Sequence, residues 1–338
     1  MTSPFRLWNR FWFATTSAKP LGVFRILLGL IVIANLALLA PDLDTWLSDA
    51  GRLRGTEAAE LAGPYRLSPL HHYQSPMTIR WMFAATLAAA ALFTIGWRTR
   101  IASIALYALM LSIHHRNVQT ASGADCLLMI FLFYAMLSPC GAAYSLDHRR
   151  KAKKLGATFE PLVAKWPMRL IAIQISIVYL VTALLKSRGP TWIDGSALYY
   201  ILNNGEARRF TLGLTSYPLL LNAITFATIG LEFVLAFLLW VRAARPWMIA
   251  SGLMLHAGIA LTINIPIFGE LMAIGYLAFL TPSEWFAIAS RFRLKQSQNE
   301  PKPTTAGRVD AAHASPAPHA LRAESLWPDC SRSKSELT

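Results

Sequence analysis

Apolar windows close to membrane-spanning length recur along the chain, each closed by a short polar or basic segment. A helix needs about 20 predominantly apolar residues to cross a hydrocarbon core. The pattern predicts spans over residues 21–40, 79–97, 101–113, 126–141, 170–185, 217–241, 247–264 and 267–280. The last two are separated because Asn264, Pro266 and Gly269 interrupt a run too long for one crossing. The expected fold is therefore all-α: a polytopic helical membrane bundle of about eight transmembrane helices. Residues 1–19 read as a cytoplasmic N-terminus, 20–284 as the transmembrane domain and 294–338, rich in Gln, Ser, Pro, Thr and Ala, as a disordered cytoplasmic tail. The first run superficially resembles a signal peptide. It is too long for a signal core and LALLAPDLD is a poor cleavage site, so it is read as an uncleaved span.

Composition agrees with this reading, at 54% hydrophobic and only 15% charged residues over 338 positions. A net charge of +14 raises nucleic acid as a partner, but the basic residues lie between apolar runs rather than on one soluble face. Arg149, Arg150, Lys151, Lys153 and Lys154 form the densest group and mark a cytoplasmic loop under the positive-inside bias. With the N-terminus inside, the loops after spans one, three, five and seven face outward, which makes this a multi-pass cell membrane protein with both termini cytoplasmic. Cys126 and Cys140 fall about 21 Å apart on a continuous helix. They cannot share a disulfide or a metal, and Cys330 stands alone in the tail. No metal-ligand spacing, phosphate loop or hydrolase motif is present.

Candidate chemistry gathers in two outward clusters. One is the stretch 179–200, YLVTALLKSRGPTWIDGSALYY, where Lys186 ends an apolar run and is followed by Arg188, Trp192 and Asp194. The other is His114, His115, Arg116, Asn117 and Asp125. An even number of spans separates them, so both are expected to line one outward-facing cavity. Glu232 and His256 sit at equal depth on a helical hairpin and are expected to face each other, as a proton relay or as a staple between helices. The pair His71-His72 in the long 41–77 loop reads as solvated, and Arg25 as snorkelling to the interface.

Three features in order resemble the HTTM domain, the membrane portion related to vitamin K-dependent gamma-carboxylase. They are the tyrosine-bearing helix that ends in Lys186 before Trp192, Asp194 and Gly195, the YSLD of 144–147 ahead of a basic run, and Leu255-His256. The resemblance spans roughly residues 20–284. It implies a lysine base at Lys186 that deprotonates a reduced quinone such as vitamin K hydroquinone; the two outward clusters would add His114 and Asp194 as catalytic partners. Arg116, Asn117, Asp125, Trp192 and Arg188 would then bind the substrate. A base must be neutral, which partial burial favours. This chain departs from the carboxylase in having Val118 after Asn117 and Trp192 one residue farther from the lysine. It also lacks the large lumenal region that binds the protein substrate, so protein gamma-carboxylation is not expected. Three readings follow: an enzyme acting on a lipophilic quinone-like molecule, a transporter or channel using Glu232 and His256, and a non-catalytic membrane assembly partner.

Overall fold

The structure, a computed structural model, describes residues 3–156, 159–205, 209–210, 213–287 and 290. Two units are distinguished, Met1–Ala289 and Ser290–Thr338. The expected tail and Cys330 lie outside the described residues.

The first unit is built almost wholly of helices. Helix α1 (Pro4–Trp12) leads to β1 (Thr15–Ser17), which pairs antiparallel with β2 (Leu162–Ala164) in a small two-stranded ladder. The long α2 (Lys19–Leu39) continues through a turn into α3 (Leu43–Leu47), and α4 (Gly55–Ala62) caps the same end. Then come α5 (Pro76–Ile95), α6 (Thr99–Arg116), α7 (Gly123–Leu137), the basic α8 (Leu146–Leu155) and α9 (Trp166–Lys186). After the short α10 (Pro190–Ile193) and α11 (Ala197–Asn203), α12 (Pro218–Leu238), α13 (Arg245–Thr262) and α14 (Phe268–Gly275) follow. The last tightens into a 3₁₀ turn over Tyr276–Phe279.

Local chemistry explains where these helices start and stop. Helices α2, α5, α9, α12 and α13 each open with a proline in the first turn, where the missing N–H has no intrahelical acceptor to lose. Gly96 ends α5 in the left-handed conformation, φ 72°, that a side chain disfavours. Ser122 and Asp125 close a reciprocal cap on the N-terminus of α7.

Among the described residues, four helical stretches are long and apolar enough to cross a membrane: Lys19–Leu47, Pro76–Ile95, Trp166–Lys186 and Pro218–Leu238. Gly123–Leu137 and Phe268–Phe279 are apolar but shorter. Small buried residues such as Ala90, Ala172 and Ala183 let neighbouring helices approach closely, while Leu185, Leu219, Phe237 and Met254 point outward. That arrangement suits a protein whose outside solvent is lipid.

Several sequence expectations shift in detail. Helix α7 stops at Leu137 rather than running to residue 141, because Ser138 precedes Pro139 and turns extended. Cys126 and Cys140 therefore do not share one helix; both are free thiols. The basic group at 149–154 is itself helical, in α8. His71 is buried and hydrogen-bonds the His115 carbonyl at 3.0 Å, whereas His72 is exposed, so only the second of the pair is solvated. Arg25 does not snorkel. It is fully buried, and donates to the carbonyls of Cys140 at 3.2 Å and Tyr144 at 2.6 Å. The chain reversal after α7 frees those carbonyls, and a guanidinium with five donors can serve several of them at once.

Candidate functional site

Tyr179, Thr182 and Lys186 are three and four residues apart and so share one face of α9. Ala183 is wholly buried beside them, and α9 and α12 pack closely along their length. From α12 comes Glu232, on the buried side with Thr225, Leu235 and Ala236. Helix α13 presents Gly252 and His256, one turn apart, and the turn after α14 supplies Tyr276.

Lys186 Nζ donates to Glu232 Oε1 at 2.5 Å, and Thr182 Oγ1 is 3.1 Å from Oε2. Both carboxylate oxygens thus have partners. The pair is unevenly dry: the Lys186 side chain keeps 22% of its exposure and Glu232 only 7%. Trp192 lies under the ammonium, 5.2 Å from Nζ to the ring centroid, a cation–π arrangement that holds the charge at the helix end. One turn deeper, the Tyr179 hydroxyl meets His256 Nε2 at 2.9 Å and also the Tyr276 hydroxyl. Gly252 makes room for this, since a methyl there would overlap the Tyr276 hydroxyl. Phe268 and the imidazole meet in a T-shaped arrangement with ring centroids 5.5 Å apart, and His256 Nδ1 has no partner among the described residues.

The expected Glu232–His256 contact is thus replaced by two others. Glu232 turns to Lys186 and Thr182, and His256 to Tyr179. A lysine at the end of a neighbouring helix can reach back along its stem, and an ammonium compensates a buried carboxylate better than an imidazole does.

The single cavity expected from both polar clusters resolves into separate places. His114 Nε2 and Asp125 Oδ1 stand 4.0 Å apart on the wall of a cavity of about 340 Å³, with Asn35, Thr120 and Asn264 around it. Asp125 also accepts from Ser122 N at 2.8 Å, so it caps α7. Arg116 is wholly buried and donates to the Leu53 carbonyl at 2.7 Å; Asn117 Nδ2 reaches the Trp46 carbonyl at 3.2 Å. These two residues hold the 41–77 segment against α6. Arg188 and Asp194 are exposed, and Asp194 accepts from Ser196 N at 2.8 Å and from its hydroxyl at 2.5 Å, which holds the carboxyl below its ordinary range. Of the predicted partners of Lys186, only Trp192 touches it. Loop residues have their polar groups claimed by nearby backbone, and spacing along the chain does not reveal that competition.

Sequence reasoning missed Thr182, Gly252 and Tyr276. The 179/182/186 spacing was a usable signal for Thr182, and a glycine one turn before a buried histidine for Gly252. Tyr276 carried none. Among the described residues no group of three His, Cys, Asp or Glu side chains is placed to hold a metal ion.

A family profile described as the HTTM domain matches residues 13–285, nearly all of the helical unit. The chain belongs to the HTTM domain family. No curated protein and no solved structure matched it. HTTM membership and the long apolar helices together make it an integral membrane protein.

Proposed function

We propose that this HTTM protein is an enzyme of the cell membrane that binds a lipophilic, weakly acidic quinone-like molecule and removes its proton at Lys186. The observation that carries the reading is the 2.5 Å contact between Lys186 and Glu232. Glu232 Oε1 is the acceptor within reach of Nζ, so it can receive the proton that a lysine base has to give up before it acts. Moving one proton from Nζ to Oε1 leaves a neutral amine, the form a base requires, with no change in net charge. The amine then takes the hydroxyl proton of the bound molecule and becomes ammonium beside the new oxyanion. Thr182 and Trp192 hold the two side chains in register meanwhile.

With this function goes an eight-span arrangement with both termini cytoplasmic, in which the four membrane-length helices α2, α5, α9 and α12 and the shorter apolar α7 and α14 are joined by α6 and α13 as the remaining crossings. Labelling of introduced cysteines should place residues 149–154 and 189–195 on opposite sides of the membrane. Finding them on one side removes this topology.

The chemical claim is tested with reduced menadione, a naphthohydroquinone, added to the full chain in nanodiscs. The deprotonated hydroquinone is the oxygen-reactive form, so the wild type should accelerate its oxidation by dissolved oxygen. Lys186→Arg, which keeps a cation beside Glu232, should fold and lose the acceleration, since guanidinium stays protonated at any working pH. An arginine variant with wild-type rate sinks the base assignment. Proton uptake into sealed vesicles that requires Glu232 and His256, with no change in the hydroquinone, would instead favour the transporter reading.

A further inference from the structure

We propose that the groove between α2 and α8 is a binding site for one anionic phospholipid, drawn from the leaflet at the basic end of the bundle. The groove has a volume of about 730 Å³ and carries both polar and apolar side chains. Lys19, His148, Arg149 and Glu160 make up its polar lining, and Val23, Ile26, Tyr144 and Phe159 its apolar lining. Val23 and Ile26 belong to α2, one of the helices long enough to cross the membrane, so the apolar wall runs from the groove toward the lipid. A phosphodiester on an acyl-bearing glycerol has this same division between charge and chain.

The charge count fits a single phosphate. Lys19 Nζ is bound to Glu160 Oε1 at 3.0 Å, which neutralises one cation. Arg149 is exposed, with no side-chain partner among the described residues, and Lys151 Nζ sits 5.5 Å over the Phe159 ring at the groove edge. Among the lining residues Arg149 is left over to meet the anion, with Lys151 near it on the same helix. His148 packs edge-on against Phe159 at 5.0 Å, which fixes the imidazole beside the same space.

Two further observations locate the membrane interface at this level. The β1–β2 ladder carries Lys19 and Pro161 off the Ser17↔Leu162 end and α1 off the Thr15↔Ala164 end. Helix α1 exposes Phe5, Leu7 and Trp8 on one side and Arg6 and Arg10 on the other, the distribution of a helix lying in the headgroup plane. Tyr144, on the groove wall, has φ 51° and is 45% exposed. Tyrosine at such a level has its ring in the acyl region and its hydroxyl among headgroups.

The test uses the full chain in nanodiscs of phosphatidylcholine with trace spin-labelled lipid, and compares immobilised phosphatidylglycerol with immobilised phosphatidylcholine. The wild type should retain phosphatidylglycerol preferentially. Arg149→Gln/Lys151→Gln, both exposed, should lower that preference by about fivefold or more, on the scale of one juxtamembrane cation per anionic lipid. Lys153→Gln/Lys154→Gln removes the same charge from the same helix but outside the groove, and should leave most of the preference in place. Equal losses in the two variants would mean diffuse attraction and overturn the site. So would a wild type without preference, or displacement of the lipid by millimolar inorganic phosphate, which would reassign the groove to a soluble anion.

Discussion

Replacing Lys186 by methionine leaves Glu232 as a carboxylate with 7% of its exposure and only the Thr182 hydroxyl beside it. Breaking a buried pair in this way costs about 3–5 kcal/mol, because the remaining charge is uncompensated. Glu232→Gln is milder. The lysine keeps 22% exposure at a helix end and can swing toward the interface, so the cost is about 1–2 kcal/mol. In the double variant no charge remains to be compensated, and stability should return to within about 2 kcal/mol of wild type. The coupling energy is therefore about 2–7 kcal/mol, well above the roughly 0.6 kcal/mol average for intramembrane hydrogen bonds. Reversible unfolding in mixed bicelles, followed by tryptophan fluorescence, measures all four corners of the cycle. Additivity within about 0.5 kcal/mol would show that the two side chains do not share a charge interaction. The corresponding cycle for Glu232 and His256 should give no more than a hydrogen bond's worth of coupling, since each has a different direct partner.

Other consequences follow from the packing. Gly252→Ala drives a methyl into the Tyr276 hydroxyl and should cost about 1–3 kcal/mol in the same unfolding assay; a neutral result would mean that the Tyr179–Tyr276–His256 contact is not tightly packed. Arg25→Met strips buried carbonyls of their donor and should cost about 3 kcal/mol or more, with Arg25→Lys recovering only part, because one ammonium cannot serve the spread of carbonyls that the guanidinium reaches. Burial lowers the His71 pKa, and Arg116, His72 and His115 nearby act in the same direction, against the favourable bond to the His115 carbonyl. Its folded value lies below the unfolded one, so this contribution to stability is complete above about pH 6.5 and falls as the pH drops toward the folded value. Melting temperatures across that window should decline for the wild type and decline less for His71→Phe; parallel profiles would show that His71 is not the titrating group.

Sequence alone determined the class of molecule and the order of its helices. Apolar runs, prolines at helix starts and the break at Asn264–Pro266 are local signals, and lipid demands that a spanning segment satisfy its own backbone. It also singled out Lys186, Glu232 and His256, because an ionisable side chain in an apolar run stands out on solvation grounds alone. Which of them meet was decided only by tertiary structure. Depth along a hairpin placed Glu232 level with His256, but facing depends on helix rotation, crossing angle and the reach of side chains from a third helix. Lys186, on α9, supplied what the α12–α13 hairpin lacked. Arg116 and Asn117 stand at the end of α6 beside the rest of the second polar cluster, yet their donors went to the carbonyls of Leu53 and Trp46, residues more than sixty positions away. Contacts at that separation leave no periodicity in the sequence; they exist only once the helices have packed and the loops have been drawn across them.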